Sequence, residues 1–518
     1  MSDVVVYRKR RGVELSMLVF ALALPFAGYL LTEINLHGQL PALLIPAALV
    51  WTGIGLAAHF IVRWRWPYAD PLLLPCAILL NGLGIAMIHR LDQMNNPIQQ
   101  SAERQLVWTV IALVGFAVTA FVLRDYRILK RFPYLMFLAG MVVLLLPMVP
   151  GLGKESHGAR IWIHIGPYDF QPAELAKLLL VIAFASYLVD KREVLALAGT
   201  RVLGFDLPRI RDLGPILIMW LASIAVMVFQ KDLGTSMLFF GLFVAMLYLA
   251  TERPSWPIFG AILFLAGAYG AYLAFDHVKV RVSAWLFPFA DWDKNYQIIV
   301  AQFGMAWGGL IGTGWGQGRP GLIPVAKSDM IFAAFGEELG VTGMLAIVLV
   351  YGLIVARGLR MAIAAKDPFG KLLAAGLAFV FALQVFTIIG GVTRLLPLTG
   401  LTTPFASQGG SSLVANYLLL ALMLLISHQV RRPELTPGET PVVSLADDRT
   451  QVISTPAARV HAQPAPAPPA SVSPPAPASV TLEPSNDIVE ALAAEATQAL
   501  DVPPAEPHLP DPPKGADR

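Results

Sequence analysis

The chain has 518 residues, 56% hydrophobic and 14% charged, with a formal net charge of +3 and a mean hydropathy of +0.63. That balance excludes a soluble globular protein and points to an integral membrane protein. The single cysteine, Cys76, excludes an internal disulfide and a cysteine-built metal centre.

Apolar runs able to cross about 30 Å of hydrocarbon fall at 15–32, 40–62, 71–89, 105–123, 134–153, 172–189, 213–230, 233–251, 254–275, 339–356, 372–393 and 411–430. They predict an all-α polytopic membrane protein of about 12 transmembrane helices. The first run follows YRKRRG and reaches a full span with no small-residue cleavage site after it, which reads as a retained helix. The sixth reaches spanning length only if Pro172 starts it and Glu174 and Lys177 lie within it.

Lys and Arg accumulate on cytoplasmic loops. With the N-terminus inside, the cytoplasmic segments through Arg432 hold 22 of them against 12 on the other side. Both termini are then expected in the cytoplasm. Beyond Arg432 the composition shifts to Pro, Ala, Ser and Val, as in PAPAPPASVSPPAPAS (464–479), so 433–518 reads as a disordered cytoplasmic tail. Within it, SNDIVEALAAEATQAL (485–500) has helix-forming composition and a capping-box spacing from Asp487 to Glu490, a place where a cytoplasmic partner can dock.

Three long elements face outward: 151–171, 276–338 and 394–410. The middle one spans 63 residues and ends in the run WGGLIGTGWGQGRPG. Its aromatic content argues for a folded cover over the outer mouth.

Ionisable groups at membrane depth are costly and mark function by default. One cluster is GARIWIHIGPYDFQPAELAK (158–177), with Arg160, Gln171, Glu174 and Lys177; the last two share a helix face. A second is QKDLGTS (230–236), a hairpin tip carrying Lys231 and Asp232. The outer loop supplies Lys279, Arg281, Asp291, Asp293, Lys294, Lys327, Ser328, Asp329, Glu337 and Glu338. The fourth is RLLPLTGLTTPFASQGGSS (394–412), where Pro and Gly break helical order. Structural pairing of Glu174 with Lys177, or of Lys231 with Asp232, and a solvated turn at Asp291 and Asp293, are the plainer alternatives. Cations, carboxylates and broken helices on one side of a bilayer suit an anionic lipid headgroup.

The order GARIWIHIG and FQPAELAK, QKDLGTS, RVSAWLFPFAD and YQI, KSDMIFAAFGEELG, then LPLTGLTTPF and GGSS closely resembles the SEDS family (shape, elongation, division and sporulation), the RodA/FtsW polymerases of bacterial cell walls. The resemblance covers 71–432 as a ten-helix core, with 276–338 as its large extracellular loop and residues 1–70 as an additional helix pair. It is more similar to the RodA type than to the division type. It implies a peptidoglycan glycosyltransferase that polymerises lipid II into glycan strands at the outer face of the bacterial cytoplasmic membrane during elongation. A class B penicillin-binding protein is the implied partner beside lipid II, the growing glycan strand and membrane lipids, and no nucleic acid partner is expected. The family's essential aspartate falls on Asp291, with Tyr296 and Gln297 matching downstream and Asp293 as a rival base.

The acceptor hydroxyl must lose a proton as it attacks, so a carboxylate within reach serves as base. The departing pyrophosphate needs cations, for which Arg160, Lys177, Lys231 and Arg281 are candidates, or a divalent ion such as Mg or Mn, which no motif fixes. Gln171, Glu174, Asp232, Gln297, Ser328, Asp329 and Ser411 complete the expected substrate-binding set. Departures from the family pattern are Trp292 in place of a proline, and Phe287, Ala173, Lys327-Ser328 and Gln408 in place of an aspartate, a serine, a His-Thr-like pair and a tyrosine. A lipid II flippase, a division-type polymerase and a scaffold acting through the tail are the rival functions.

Overall fold

The computed structural model describes residues 9–41, 44–95, 100–156, 159–166, 168–196, 200–202, 205–207 and 210–433. The expected tail and its 485–500 segment lie outside them. The described chain is largely helical, and ten helices are long and apolar enough to cross a membrane. These are α1 (Arg11–His37), α2 (Leu44–Arg65), α3 (Leu73–Asn95), α4 (Ser101–Val122), α6 (Pro172–Ala196), α8 (Leu233–Thr251), α9 (Ser255–Ala274), α12 (Ile331–Ala364), α13 (Pro368–Val392) and α14 (Gly410–Arg431).

The other two expected spans are also helical: α5 (Pro133–Leu145), which is short, and α7 (Ile210–Phe229), as long as α9. Pro147 cannot continue an α-helical ladder, and α5 tightens into a single 3-10 turn over Leu146–Met148.

Helices α3, α6, α13 and α14 form the buried centre, and α9 lies at the periphery with Leu263, Leu265 and Tyr269 turned outward. Such an apolar outer face is what lipid requires. The N-terminal pair is packed on this centre. Trp315 Nε1 donates to Thr32 Oγ1 at 2.9 Å, Asn35 donates to the Trp315 carbonyl at 2.7 Å, and buried Glu14 holds Arg11 and His59.

Between α5 and α6 the chain forms a three-stranded antiparallel sheet, β1 (Gly153–Ser156), β2 (Ala159–Ile165) and β3 (Tyr168–Phe170). Residues 160–165 alternate Arg, Trp and His with three isoleucines, the period of a half-buried strand. A hairpin, β4 (Thr200–Val202) with β5 (Phe205–Leu207), separates α6 from α7.

The long region expected as a loop over 276–338 is mostly ordered turns and helix. It contains α10 (Asp276–Leu286), a 3-10 turn over Pro288–Ala290 and α11 (Trp292–Gly308). Helix α12 begins eight residues before the tenth apolar run and bends at Gly340, where φ is 66° and ψ is −170°. The bend removes the helical acceptors of Val341 and Thr342, which donate instead to the carbonyls of Gly309 and Leu310 at 3.0 and 3.1 Å. The freed carbonyls of Glu337 and Glu338 accept from Thr313 and Gly314 at 3.0 and 3.1 Å. The glycine-rich run therefore completes the backbone of a broken helix.

A Cβ at Gly340 would lie 2.4 Å from the Gly312 nitrogen and 2.6 Å from the Leu310 oxygen, on a backbone conformation that side chains avoid. Gly340→Ala is expected to cost at least about 1–3 kcal/mol, read as a lowered midpoint of thermal unfolding in detergent.

Candidate functional site

The polar residues expected to matter converge where α6, α8, α10 and α13 meet the irregular segment 394–410. Pro172 starts α6, so Glu174 and Lys177 lie in its first turns, three apart and both buried. Lys177 Nζ donates to Glu174 Oε2 and to Gln384 Oε1, each at 2.6 Å. Gln384 Nε2 in turn donates to the Thr402 carbonyl at 3.1 Å. The broken segment thus obtains a partner from an amide of the bundle that Lys177 holds in place. Gln171, just before α6, is also buried.

The hairpin tip divides its charges. Asp232 is buried and caps α8, accepting from Thr235 N at 3.0 Å and from Thr235 Oγ1 at 2.7 Å. Lys231, with φ of 60°, stays exposed. Burial pushes the Asp232 carboxyl above the ordinary carboxylate range, opposed by the Thr235 hydrogen bonds and by Arg281.

Arg281, on α10, donates to the Thr399 carbonyl at 3.1 Å. It also acts electrostatically on Asp329, whose carboxyl is raised by burial and lowered in part by Ser328 and Arg281. One guanidinium therefore links the hairpin aspartate, the KSD motif and the broken segment. His277, one turn earlier on α10, is held below its usual value by burial and by the Arg281 and Lys231 charges, and its Nε2 is buried without a partner among the described residues. Buried hydroxyls of Thr387, Thr402 and Thr403 also lack partners among the described residues, a concentration that calls for a polar ligand or water.

Asp291 follows ten residues after Arg281 and is the N-cap of α11, its Oδ1 accepting from Lys294 N at 3.2 Å. Lys294 Nζ lies 2.7 Å from Asp291 Oδ2. The Lys294 ammonium, and then its backbone N–H, hold the carboxyl below the usual aspartate range. Its side chain is 40% exposed, so it is a solvent-accessible anion. Its hydrogen bonds are local, and the geometry does not join it directly to the Glu174, Lys177 and Gln384 network.

Both flanking helices are nevertheless fixed to that end of the bundle. Trp285 Nε1 donates to the Arg394 carbonyl and Arg394 donates back to the Trp285 carbonyl, both at 3.0 Å. Gln302 on α11 donates to the Val392 carbonyl at 2.8 Å. Asp293 is exposed in the first turn of α11, Gln297 is half-buried, and Tyr296 is exposed.

The remaining expected residues fall at the edges. Arg160 is exposed on β2. The Ser328 carbonyl accepts from Ser407 at 2.5 Å, and Ser411 is buried in the first turn of α14. No group of three or more His, Cys, Asp or Glu side chains suited to a metal is present among the described residues. Gln384 and His277 belong to none of the four sequence clusters, although Gln384 is the one amide within the apolar run 372–393.

Residues 71–432 match the FtsW/RodA/SpoVE family, described as cell cycle proteins. A relative from Mycobacterium bovis, peptidoglycan glycosyltransferase RodA, is 49% identical over 430 residues, 82% of this chain and 92% of its own. Its namesake from Mycobacterium leprae is 46% identical over 450 residues, 86% of this chain and 96% of its own. Among solved structures, a chain of a peptidoglycan synthase complex that coordinates polymerization and crosslinking is similar with a TM-score of 0.59 and 26% identity, covering 71% of this chain and all of that one. The rod shape determining protein RodA of Thermus thermophilus gives a TM-score of 0.50 at 25% identity, over 71% of this chain and 99% of that one. The chain belongs to the FtsW/RodA/SpoVE family and is a glycosyltransferase of the RodA/FtsW type.

Proposed function

We propose that this chain polymerises lipid II at the outer face of the bacterial cytoplasmic membrane, with Asp291 as general base. The observation that carries this reading is the convergence of Lys177, Arg281, Asp232 and Asp329 with unpartnered buried hydroxyls on one broken segment, beside the helix pair that presents Asp291. In this reading α5 and α7 complete twelve crossings, both termini lie in the cytoplasm, and 276–338 covers the outer mouth. Residues 71–432 are the polymerase core, 1–70 a buttress of two added helices, and 433–518 a cytoplasmic tail.

The acceptor sugar hydroxyl attacks the anomeric carbon of the donor, which inverts. The bond to the lipid pyrophosphate breaks with its electron pair on the departing oxygen, and the hydroxyl proton passes to the Asp291 carboxylate. Lys231 and Arg281 have N–H groups available for the pyrophosphate, Lys177 supplies a buried positive charge beside them, and Arg160 lies at the margin. Glu174 holds Lys177 in place, and Gln171, Gln297, Ser328 and Ser411 shape the sugar and peptide contacts. Asp293 is the rival base. A divalent cation such as Mg or Mn suits a departing pyrophosphate chemically. Among the described residues no group of three His, Cys, Asp or Glu side chains is gathered for it.

The complex in which the similar solved chain sits supports a class B penicillin-binding protein as partner. A flippase needs polar groups near the midplane open to both leaflets, whereas the network here lies at one end of the bundle. Reconstitution with lipid II and the transpeptidase partner separates the two. Glycan polymer on a gel is the expected result, and transbilayer movement of lipid II without polymer overturns the enzyme reading.

A further inference from the structure

At the opposite end of the bundle from this site, α2, α4 and α14 terminate together. A cavity of about 250 Å³ opens there, lined by Arg65, Trp66, Arg124, His428, Gln429 and Arg432. Its walls are fixed by bonds that involve no carboxylate. Arg65 Nε donates to the Ala120 carbonyl at 2.8 Å, Gln429 donates to the Arg124 carbonyl at 2.9 Å, and His428 Nδ1 accepts the Tyr68 N–H at 3.2 Å.

The carboxylates nearby are already engaged. Buried Asp70 binds Arg431, with Arg357 at 3.7 Å, and Asp125 accepts the Arg127 backbone N–H at 2.9 Å. Among the described residues no carboxylate pairs with Arg65, Arg124 or Arg432. Three guanidinium groups thus face one small cavity, each with N–H donors to spare. Beside it, the apolar side chains of Trp64, Val118, Phe121 and Val122 are exposed and run away from the charged rim along α2 and α4. A basic cavity at a helix end, continuous with an outward apolar face, matches an amphiphile with an anionic head.

We propose that this cavity is a binding site for an anionic glycerophospholipid of the cytoplasmic leaflet, its phosphodiester on Arg65, Arg124 and Arg432 and its acyl chains along Trp64 and Phe121. The leaflet follows from the orientation proposed above; the binding does not depend on the polymerase assignment. The lipid ties together the ends of α2, α4 and α14, and so couples the added N-terminal pair to the core.

The test is native mass spectrometry of the delipidated full chain titrated with phosphatidylglycerol or phosphatidylcholine. The wild type is expected to retain one phosphatidylglycerol at least about tenfold more tightly than phosphatidylcholine. Arg65→Gln/Arg124→Gln/Arg432→Gln is expected to lose that preference, each arginine contributing a factor of several. Removing three exposed cations elsewhere at the same end, Arg63→Gln/Arg360→Gln/Lys371→Gln, should leave it intact. Arg124→Gln alone, an exposed change that keeps the fold, should weaken retention several-fold. Equal retention by wild type and the triple variant overturns the proposal. Displacement of the lipid by millimolar inorganic phosphate, with no preference between the two lipids, would show a free-anion site and overturn the lipid assignment.

Discussion

Replacing Asp291 by Asn is expected to lower glycan polymerisation from lipid II by about 100-fold or more, the scale on which a positioned base contributes, while Asp293→Asn retains most of the activity. The two aspartates differ in how α11 holds them. Asp291 is the N-cap, fixed by the Lys294 N–H and by the Lys294 ammonium, whereas Asp293 projects from the first turn into solvent. Asparagine is also a good N-cap, so the substitution removes the charge and the proton acceptor and keeps the helix start. A loss of activity in Asp291→Asn therefore reports on chemistry rather than on folding.

The same capping geometry sets a pH dependence. The depressed Asp291 pKa keeps the base ionised until pH falls through it, and activity is lost on that acid side. Lys294→Met removes the largest cause of the depression and should move the acid limb of the rate profile upward, toward the ordinary aspartate range. An unmoved limb, or an active Asp291→Asn enzyme beside an inactive Asp293→Asn, reverses the assignment.

The membrane-length helices were legible because hydropathy over a span is a summed quantity that single polar residues barely disturb. Glu174 and Lys177 were correctly placed inside α6 because the span would otherwise be too short. The short strands before α6 were not predicted: the alternation over 160–165 covers few residues and sits among turns. The N-cap at Asp291 was hidden for a different reason. The N3 position holds Lys294, not Glu or Gln, so the capping-box pattern is absent, and the side-chain clamp is an ion pair that composition cannot reveal. Gln384 has a weak local signal and gains its meaning only from α6 and Thr402, distant in sequence. Arg281 was legible as a cation, but its position between Asp232 and Asp329 depends on the packing of α10 against the broken segment.

Glu338→Ala is expected to destabilise the protein by about 3–5 kcal/mol, the cost of leaving a buried charge unpaired, and to reduce polymerisation with it. Arg90 and Glu338 are both buried, with Arg90 Nε donating to Glu338 Oε1 at 3.0 Å. The pair also organises the glycine-rich run. Glu338 Oε2 accepts from Gly316 N, and Arg90 donates to the Gly318 carbonyl, each at 2.9 Å. Alanine strands the guanidinium in a place where its Nη1 already lacks a partner, and it frees the run that repairs the bend at Gly340. The double change Arg90→Met/Glu338→Leu removes both charges and should be less destabilising than Glu338→Ala alone, a reversal of additivity that thermal unfolding in detergent can measure. If the double variant loses as much as Glu338→Ala and Arg90→Met together, the pair contributes no coupling and the run is held by its backbone bonds alone. Because α11 ends at Gly308 and α12 begins at Ile331, the run fixes the C-terminal end of the helix whose N-cap is Asp291. A stability loss confined to this clasp, with polymerisation recovering at lower temperature, would mark it as a positioning element for the base.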